Sequence, residues 1–211
     1  MTKLGIIPAA GKATRFCGLF KELMPIGEGV TLLSNAVDRL ESIPVDSVLV
    51  VTSHYKIAAH SLALSSRAVK YAVQRNYESD AWGAVQESFD CAGDWNYYLM
   101  PDTVLKVNIP EPQSDFTLGV FATYKPERFG VMDGGRIVDK STTFAGLQYA
   151  WGMLIWSRAV VEYWKAHEYK THTDAFNAAM GHFDYSTFPI DEYRDVSDFK
   201  EYRGLLCSSR M

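Results

Sequence analysis

Apolar and polar positions change rhythm along this chain of 211 residues. LGIIP (4–8) and DSVLVVTS (46–53) are compact apolar runs of the kind that form buried strands. Between them, TLLSNAVDRLES (31–42) places Leu32, Leu33, Ala36, Val37 and Leu40 on one helical face, with Thr31 or a neighbour able to cap its start. YKIAAHSLAL (55–64) reads as a second helix and VKYAV (69–73) as a third strand. DAWGAVQESFDCA (80–92) is the next helical stretch, and NYYLM (96–100) the next strand. Strands alternating with helices at this spacing predict a mostly parallel sheet covered on both faces.

From there the rhythm changes. FTLGVFAT (116–123) and AWGMLIW (150–156) read as strands, and RFGVMDGGRIVDK (128–140) as a hairpin turning at Asp133-Gly134-Gly135. Helices are expected at 158–167, around 173–180 and at 197–206, with an extended segment at 185–196. No repeat, low-complexity tract or Pro/Gly/Ser-rich linker divides the chain, so both halves are expected to share one sheet. The expected fold class is α/β, a three-layer α/β/α sandwich with a central mixed, mostly parallel sheet. It forms one domain over 1–211, with halves of about 1–105 and 106–211.

Composition narrows the class. Apolar residues make up 47% and charged residues 22%, which suits a soluble globule with a real core. A net charge of −4 argues against a broad nucleic-acid surface. The three cysteines, Cys17, Cys91 and Cys207, are far apart and in no CxxC spacing, which fits free thiols in a reducing compartment and not a zinc site. With no signal-like or membrane-spanning run, the expectation is a cytoplasmic protein with no membrane partner.

The candidate chemistry begins with GKATRFCGLFKELMPIG (11–27), directly after the first expected strand. In sheets of this kind ligands bind beyond the carboxyl ends of the strands. Gly11 and Ala13 allow close approach of an anion to backbone amides, Thr14 and Arg15 add donors, and Lys21 adds a point charge. Neither GxGxxG nor GxxxxGK[ST] is present, and these residues alone leave a phosphate cradle and a plain strand–helix loop both open. The histidines (His54, His60, His167, His172, His182) show no metal-ligand spacing, and the aromatics of 149–169 are expected in core and interface.

AAGKATRFCGLFKELMPI (9–26) resembles the signature of the sugar-1-phosphate nucleotidyltransferases, an AAGxGTR loop followed by PKxLxPV. Ala13 stands where that pattern has its second glycine, and Phe20 where it has proline. YAVQ (71–74) with DAWGAV (80–85) is similar to the family's nucleobase-reading segment, with Asp80 in place of a usual Gly. NYYLMPDTVL (96–105) resembles the strand whose Asp binds a metal, RFGVMDGGRIVDK the element around the sugar, and YRDVSD (193–198) the segment bearing a second metal ligand.

The resemblance implies a Rossmann-like nucleotidyltransferase fold and a pyrophosphate-releasing transfer. Its catalytic residues would be Arg15, Lys21 and Asp102, with Lys12 as a nearby competitor for the role of Lys21. Nucleotide would be held by Ala10, Gly11, Lys12, Ala13, Thr14, Arg15, Gln74 and Asp80, and the sugar or other acceptor by Asp139, Lys140 and Gly152. Mg²⁺ would be held by Asp102 and Asp195, with Asp191, Glu192 and Asp198 as neighbours of the second ligand. Partners are a nucleoside triphosphate (UTP or dTTP first) and a phosphorylated small molecule, with no nucleic acid; a homo-oligomer stays open. Two alternatives remain. One is a cytidylyltransferase acting on a small phosphorylated alcohol such as phosphocholine, the other a nucleotide-binding regulatory module without turnover.

Overall fold

A computed structural model describes residues 1–12, 14–76 and 81–208. Ala13 and Asp80, both expected at the nucleotide, lie outside the described residues.

The chain begins with β1 (Lys3–Pro8), a short ladder of β2 (Pro25–Gly27) with β3 (Val30–Thr31), and α1 (Leu32–Glu41). Then come β4 (Ser47–Thr52), α2 (Ile57–Ala63), β5 (Val69–Val73), α3 (Ala81–Glu87), β6 (Trp95–Leu99) and β7 (Thr103–Lys106). The remainder is β8 (Phe116–Thr123), β9 (Gly130–Asp133), β10 (Arg136–Asp139), β11 (Gln148–Ser157), α4 (Arg158–Lys165) and α5 (His172–His182). It ends with β12 (Tyr185–Pro189), β13 (Glu192–Asp195) and α6 (Phe199–Ser208).

Local chemistry sets the boundaries. Thr31 caps α1 as expected: its side chain accepts from the Ser34 amide while Ser34 Oγ accepts from the Thr31 amide, a reciprocal capping box. Gly134 and Gly135 turn the β9–β10 hairpin with φ of 53° and 79°, left-handed values that glycine adopts without a Cβ clash.

Among the described residues, nine strands form the main sheet, and its path β10-β9-β11-β6-β1-β4-β5 takes strands from both halves of the chain. β6, β1, β4 and β5 run parallel, β11 is antiparallel to β6 and to β8, and β12 returns parallel to β8. Alternation along the strands loads both faces. Leu4, Ile6, Leu49 and Tyr98 pack with Trp82, Trp156, Trp164 and Phe176 on the side of α3, α4 and α5. Ile7, Val48, Val50 and Tyr97 pack with Leu33, Val37 and Leu40 of α1 on the other. This is the three-layer sandwich that the periodicity predicts.

The order places the crevice. The chain steps outward from β1 to β4 to β5, then jumps back across β1 to β6. The carboxyl ends of β1 and β6 therefore flank a topological switch point, where such sheets bind ligands.

The extended segment expected at 185–196 is split. β12 stays in the main sheet, and at Ile190 and Asp191 the chain steps off it: the Ile190 amide still donates to Val120 O at 2.7 Å, the Asp191 amide to Lys106 O at 3.0 Å. β13 then pairs antiparallel with β7 in a separate two-stranded ladder. The short strands β2, β3 and β7 have no expected counterpart, because two to four residues are too few to show a period.

Candidate active site

Two segments leave the switch point side by side. After β1 the chain runs through Ala9 to Lys12, then a 3-10 turn at Thr14–Phe16. Gly11, Lys12, Thr14 and Arg15 are exposed there, while Phe16 is buried with Leu32, Val196 and Leu205. That small core anchors the loop from below. α6 braces it further, with Phe199 4.7 Å from the Phe16 ring and the Tyr202 hydroxyl donating to Pro25 O at 2.5 Å.

After β6, Asp102 is buried in the turn directly before β7, and Lys21 reaches across to its carboxylate in a charge-assisted hydrogen bond. The β7–β13 ladder brings in the second carboxylate: Asp195 pairs with Thr103, and the Val196 amide donates to Asp102 O at 2.9 Å. The two aspartates, far apart in sequence, are thus brought together by adjacent strands, Asp195 at the end of β13 and Asp102 directly before β7. Burial and the neighbouring Asp102 charge push the Asp195 carboxyl above the usual range, against the opposing pull of Ser197 and Arg128. A buried and a half-buried carboxylate this close are a donor set that suits a hard divalent cation with oxygen ligands. Tyr193, beside them, is held as a neutral phenol by burial and then by the charges of Asp195 and Asp102.

Arg128, just before β9, belongs to the same constellation. Its guanidinium donates to Asp195 Oδ2 at 2.7 Å, Ser197 Oγ at 2.5 Å and Glu201 Oε1 at 2.5 Å. Sequence reasoning took the RFGV stretch as acceptor-side framework and passed over this arginine. Its signal was the cation that opens that motif, yet nothing local shows that it meets a carboxylate 67 positions away.

A cleft of about 720 Å³ joins these parts, lined on the loop side by Gly11, Lys12, Thr14, Arg15 and Lys21, and in its floor by Asp102, Asp195 and Arg128. Its far wall carries Glu127, Phe129, Asp139, Lys140, Trp151, His172 and Tyr193. An adjoining pocket of about 360 Å³ is lined by Ala10, Gly11, Lys12, Gln74, Ala81, Met100 and Asp102. Gln74, 5% exposed, donates to Asn76 O at 2.8 Å. Sequence-expected residues thus divide by wall: the loop and Gln74 on one side, Asp139 and Lys140 on the other.

Gly152 is placed differently from the rest. It sits at an irregularity in the β11–β8 register, buried against Tyr193, where an added Cβ would stand 2.6 Å from Tyr193 Cε2. It is not among the residues lining either cavity. Its absent side chain makes room for the tyrosine.

Trp151 adds to a different expectation, since it packs against the core and also lines the cleft. Trp156 and Trp164 lie in the core, but Trp151 lines the cleft, and its indole N–H is buried without a hydrogen-bond partner among the described residues.

Residues 5–107 match the MobA-like NTP transferase domain family. No curated protein matches the chain significantly. Among solved structures, one from Bacillus anthracis assigned as a glucose-1-phosphate thymidylyltransferase, in complex with sucrose, superposes with a TM-score of 0.85 at 17% identity, covering 99% of this chain and 96% of that one. A UTP-bound UGPase from Acinetobacter baumannii gives 0.79 at 14%, covering 99% and 93%. The CTP:phosphocholine cytidylyltransferase of Streptococcus pneumoniae gives 0.80 at 14%, covering 99% and 100%. At these identities the likeness establishes the fold.

Proposed function

We propose that this chain, a nucleotidyltransferase by the NTP transferase domain at residues 5–107, joins a nucleoside triphosphate to a sugar 1-phosphate with Mg²⁺ and releases pyrophosphate. The observation that carries the reading is the approach of Asp102, directly before β7, to Asp195 of β13, with Lys21 on Asp102, in a cleft also lined by the exposed Gly11, Lys12, Thr14 and Arg15. UTP or dTTP is the first donor to test.

In this reaction an oxygen of the acceptor phosphate attacks the α-phosphorus, and the bond to the pyrophosphate leaving group breaks. A phosphate monoester is already largely dianionic at neutral pH, its second pKa being about 6, so no general base is required. What the site must supply is charge cancellation and alignment. Mg²⁺ held by Asp102 and Asp195 would supply a hard positive charge between two anionic reactants. Lys21 stabilises charge at the α-phosphate. Arg15 and the amides of the 11–15 loop hold the leaving phosphates. Gln74 reads the base from the adjoining pocket, and Lys140 and Asp139 face the acceptor. Tyr193, kept neutral, adds no further negative charge beside the two carboxylates.

A second reading is favoured by the aromatic far wall. Phe129, Trp151 and Tyr193 with the carboxylates of Glu127 and Asp139 form the kind of surface that attracts a quaternary ammonium. A phosphocholine-like acceptor with CTP is therefore the alternative.

The test is pyrophosphate release over a matrix of nucleoside triphosphates and phosphorylated acceptors, with and without Mg²⁺. Asp102→Asn should abolish release, and Lys21→Ala should lower it by about 10²-fold or more. Phosphocholine outperforming every sugar 1-phosphate selects the second reading. Nucleotide binding without pyrophosphate from any pair would overturn both in favour of a regulatory module.

A further inference from the structure

Beneath the phosphate loop lies a buried polar chain that the reaction above does not use. Lys56, immediately before α2, and Glu22, in the 3-10 turn Lys21–Leu23, are each 1% exposed, and His60 is fully buried. The Lys56 ammonium has three protons and three acceptors: Glu22 Oε1 at 2.8 Å, Ala9 O at 3.3 Å and Gly11 O. Glu22 Oε1 also accepts from His60 Nε2 at 2.8 Å, and His60 Nδ1 meets Thr52 Oγ1 at 2.9 Å, so in the neutral ring Nδ1 accepts the threonine hydroxyl. Phe20 covers the ammonium, its ring centroid 5.5 Å away. This gives a physical role to the phenylalanine that stands where the resembled pattern has proline.

We infer that Lys56 and Glu22 are positioning residues that aim the phosphate loop and set its affinity for the triphosphate; the inference rests on reading residues 9–15 as a triphosphate cradle. Stability alone does not account for the pair. Two charges taken out of water cost several kcal/mol each, and apolar residues of equal volume are often as stable. What an ammonium can do and a methyl cannot is hold two backbone carbonyls inward at once. In a planar trans peptide the C=O and the following N–H point in opposite directions. With Ala9 O and Gly11 O turned toward Lys56, the amides of Ala10 and Lys12 face the other way, and both residues line the pocket beside Asp102. Glu22 fixes where the ammonium sits, and it is bonded in sequence to Lys21, whose own ammonium rests on Asp102. One buried pair therefore ties the amide donors to the cation expected at the α-phosphate. Burial pushes the Glu22 carboxyl up, but the His60 bond and the Lys56 charge outweigh it and keep it below the usual range, consistent with a permanently charged anchor.

The signal in the sequence was slight. Lys56 and His60 are four apart on one helical face, a spacing that brings side chains together but names no partner.

The experiment compares wild type, Lys56→Met, and Lys56→Met/Glu22→Gln, the last removing the pair without stranding a buried charge. Calorimetry measures binding of inorganic tripolyphosphate, UTP and CTP with Mg²⁺; kinetics measure KM for nucleotide and acceptor; melting reports the fold. Lys56→Met should weaken tripolyphosphate and nucleotide at least about tenfold, with acceptor KM within about twofold. The double variant should recover melting temperature and not affinity. Wild-type tripolyphosphate affinity in either folded variant overturns the inference, because a structural pair would restore binding along with stability. If wild type binds tripolyphosphate yet releases no pyrophosphate from any pair, the reaction assignment fails while the binding comparison still decides the role of Lys56. If wild type binds no tripolyphosphate, both fall.

Discussion

Gly152→Ala separates two roles for one residue, acceptor contact or space for Tyr193, and the structure sets its size. The added Cβ would stand 2.6 and 2.8 Å from Tyr193 Cε2 and Cδ2 and 2.9 Å from Ile190 Cδ1. Carbon atoms rest at about 3.5–4.0 Å, so the ring must move by roughly 1 Å. Tyr193 has little room to yield, being stacked on Phe121 with centroids 3.8 Å apart and planes at 7°. Overfilling of this kind costs about 1–3 kcal/mol. Taking about 2 kcal/mol, with a urea slope of about 2 kcal/mol/M, the midpoint should fall by about 1 M. The melting temperature should drop by about 4–8 °C. Tyr193 is also in β13, two residues before Asp195, so the displacement reaches a proposed metal ligand, where a 1 Å error costs about 10²-fold in rate. Urea denaturation followed by tryptophan fluorescence and pyrophosphate release measure the two effects. Gly152→Ala/Tyr193→Leu should recover much of the stability, since the clash is with the ring. A variant that keeps its stability within about 0.5 kcal/mol and changes only acceptor KM would refute the steric argument and make Gly152 an acceptor contact.

Asp195→Asn should raise the melting temperature of the metal-free protein while abolishing Mg²⁺-dependent turnover. The folded state holds the Asp195 proton more tightly than the unfolded chain, so the carboxylate's penalty is absent below about pH 3.9 and grows as pH rises through the raised value. The variant's advantage in a melting series should therefore grow as pH rises and vanish near pH 4. Arg128→Met removes the cation shared by Asp195, Ser197 and Glu201, leaving Asp195 with Ser197 alone and Glu201 with the more exposed Lys125; in this partly exposed site the loss should cost about 1–3 kcal/mol in urea unfolding. The Glu201 carboxyl is held low chiefly by Arg128, so its contribution is present above about pH 4.3 and fades as pH falls through the depressed value. Acid unfolding of Arg128→Met should accordingly be less steep than that of wild type.

How much of this was legible beforehand varies by element. Val69–Val73 and Phe116–Thr123 match the expected strands residue for residue, because short runs rich in β-branched and aromatic residues signal strand even where, as in β5 at the sheet edge, no residue is fully buried. The Gly134-Gly135 turn was legible because two successive left-handed residues strongly favour glycine. Residues 185–196 were harder: one extended pattern serves two different sheets, and period two says nothing about which partner a strand chooses. Gly152 illustrates the converse, since a missing side chain has no periodicity and its meaning depends on the ring that fills the space.

Local order therefore belongs to the chain's own pattern of apolar and polar residues: the sandwich, the capping box at Thr31 and the loop that follows β1. Proximity between distant residues belongs to the assembled sheet. Asp102 meets Asp195 only because β7 pairs with β13, Arg128 meets both Asp195 and Glu201 only because α6 folds back beneath the loop, and Lys56 finds Glu22 only because β4 lies beside β1. Hydrophobic periodicity is read over one or two turns of chain, whereas these contacts are made through space by charges whose partners lie tens of residues away.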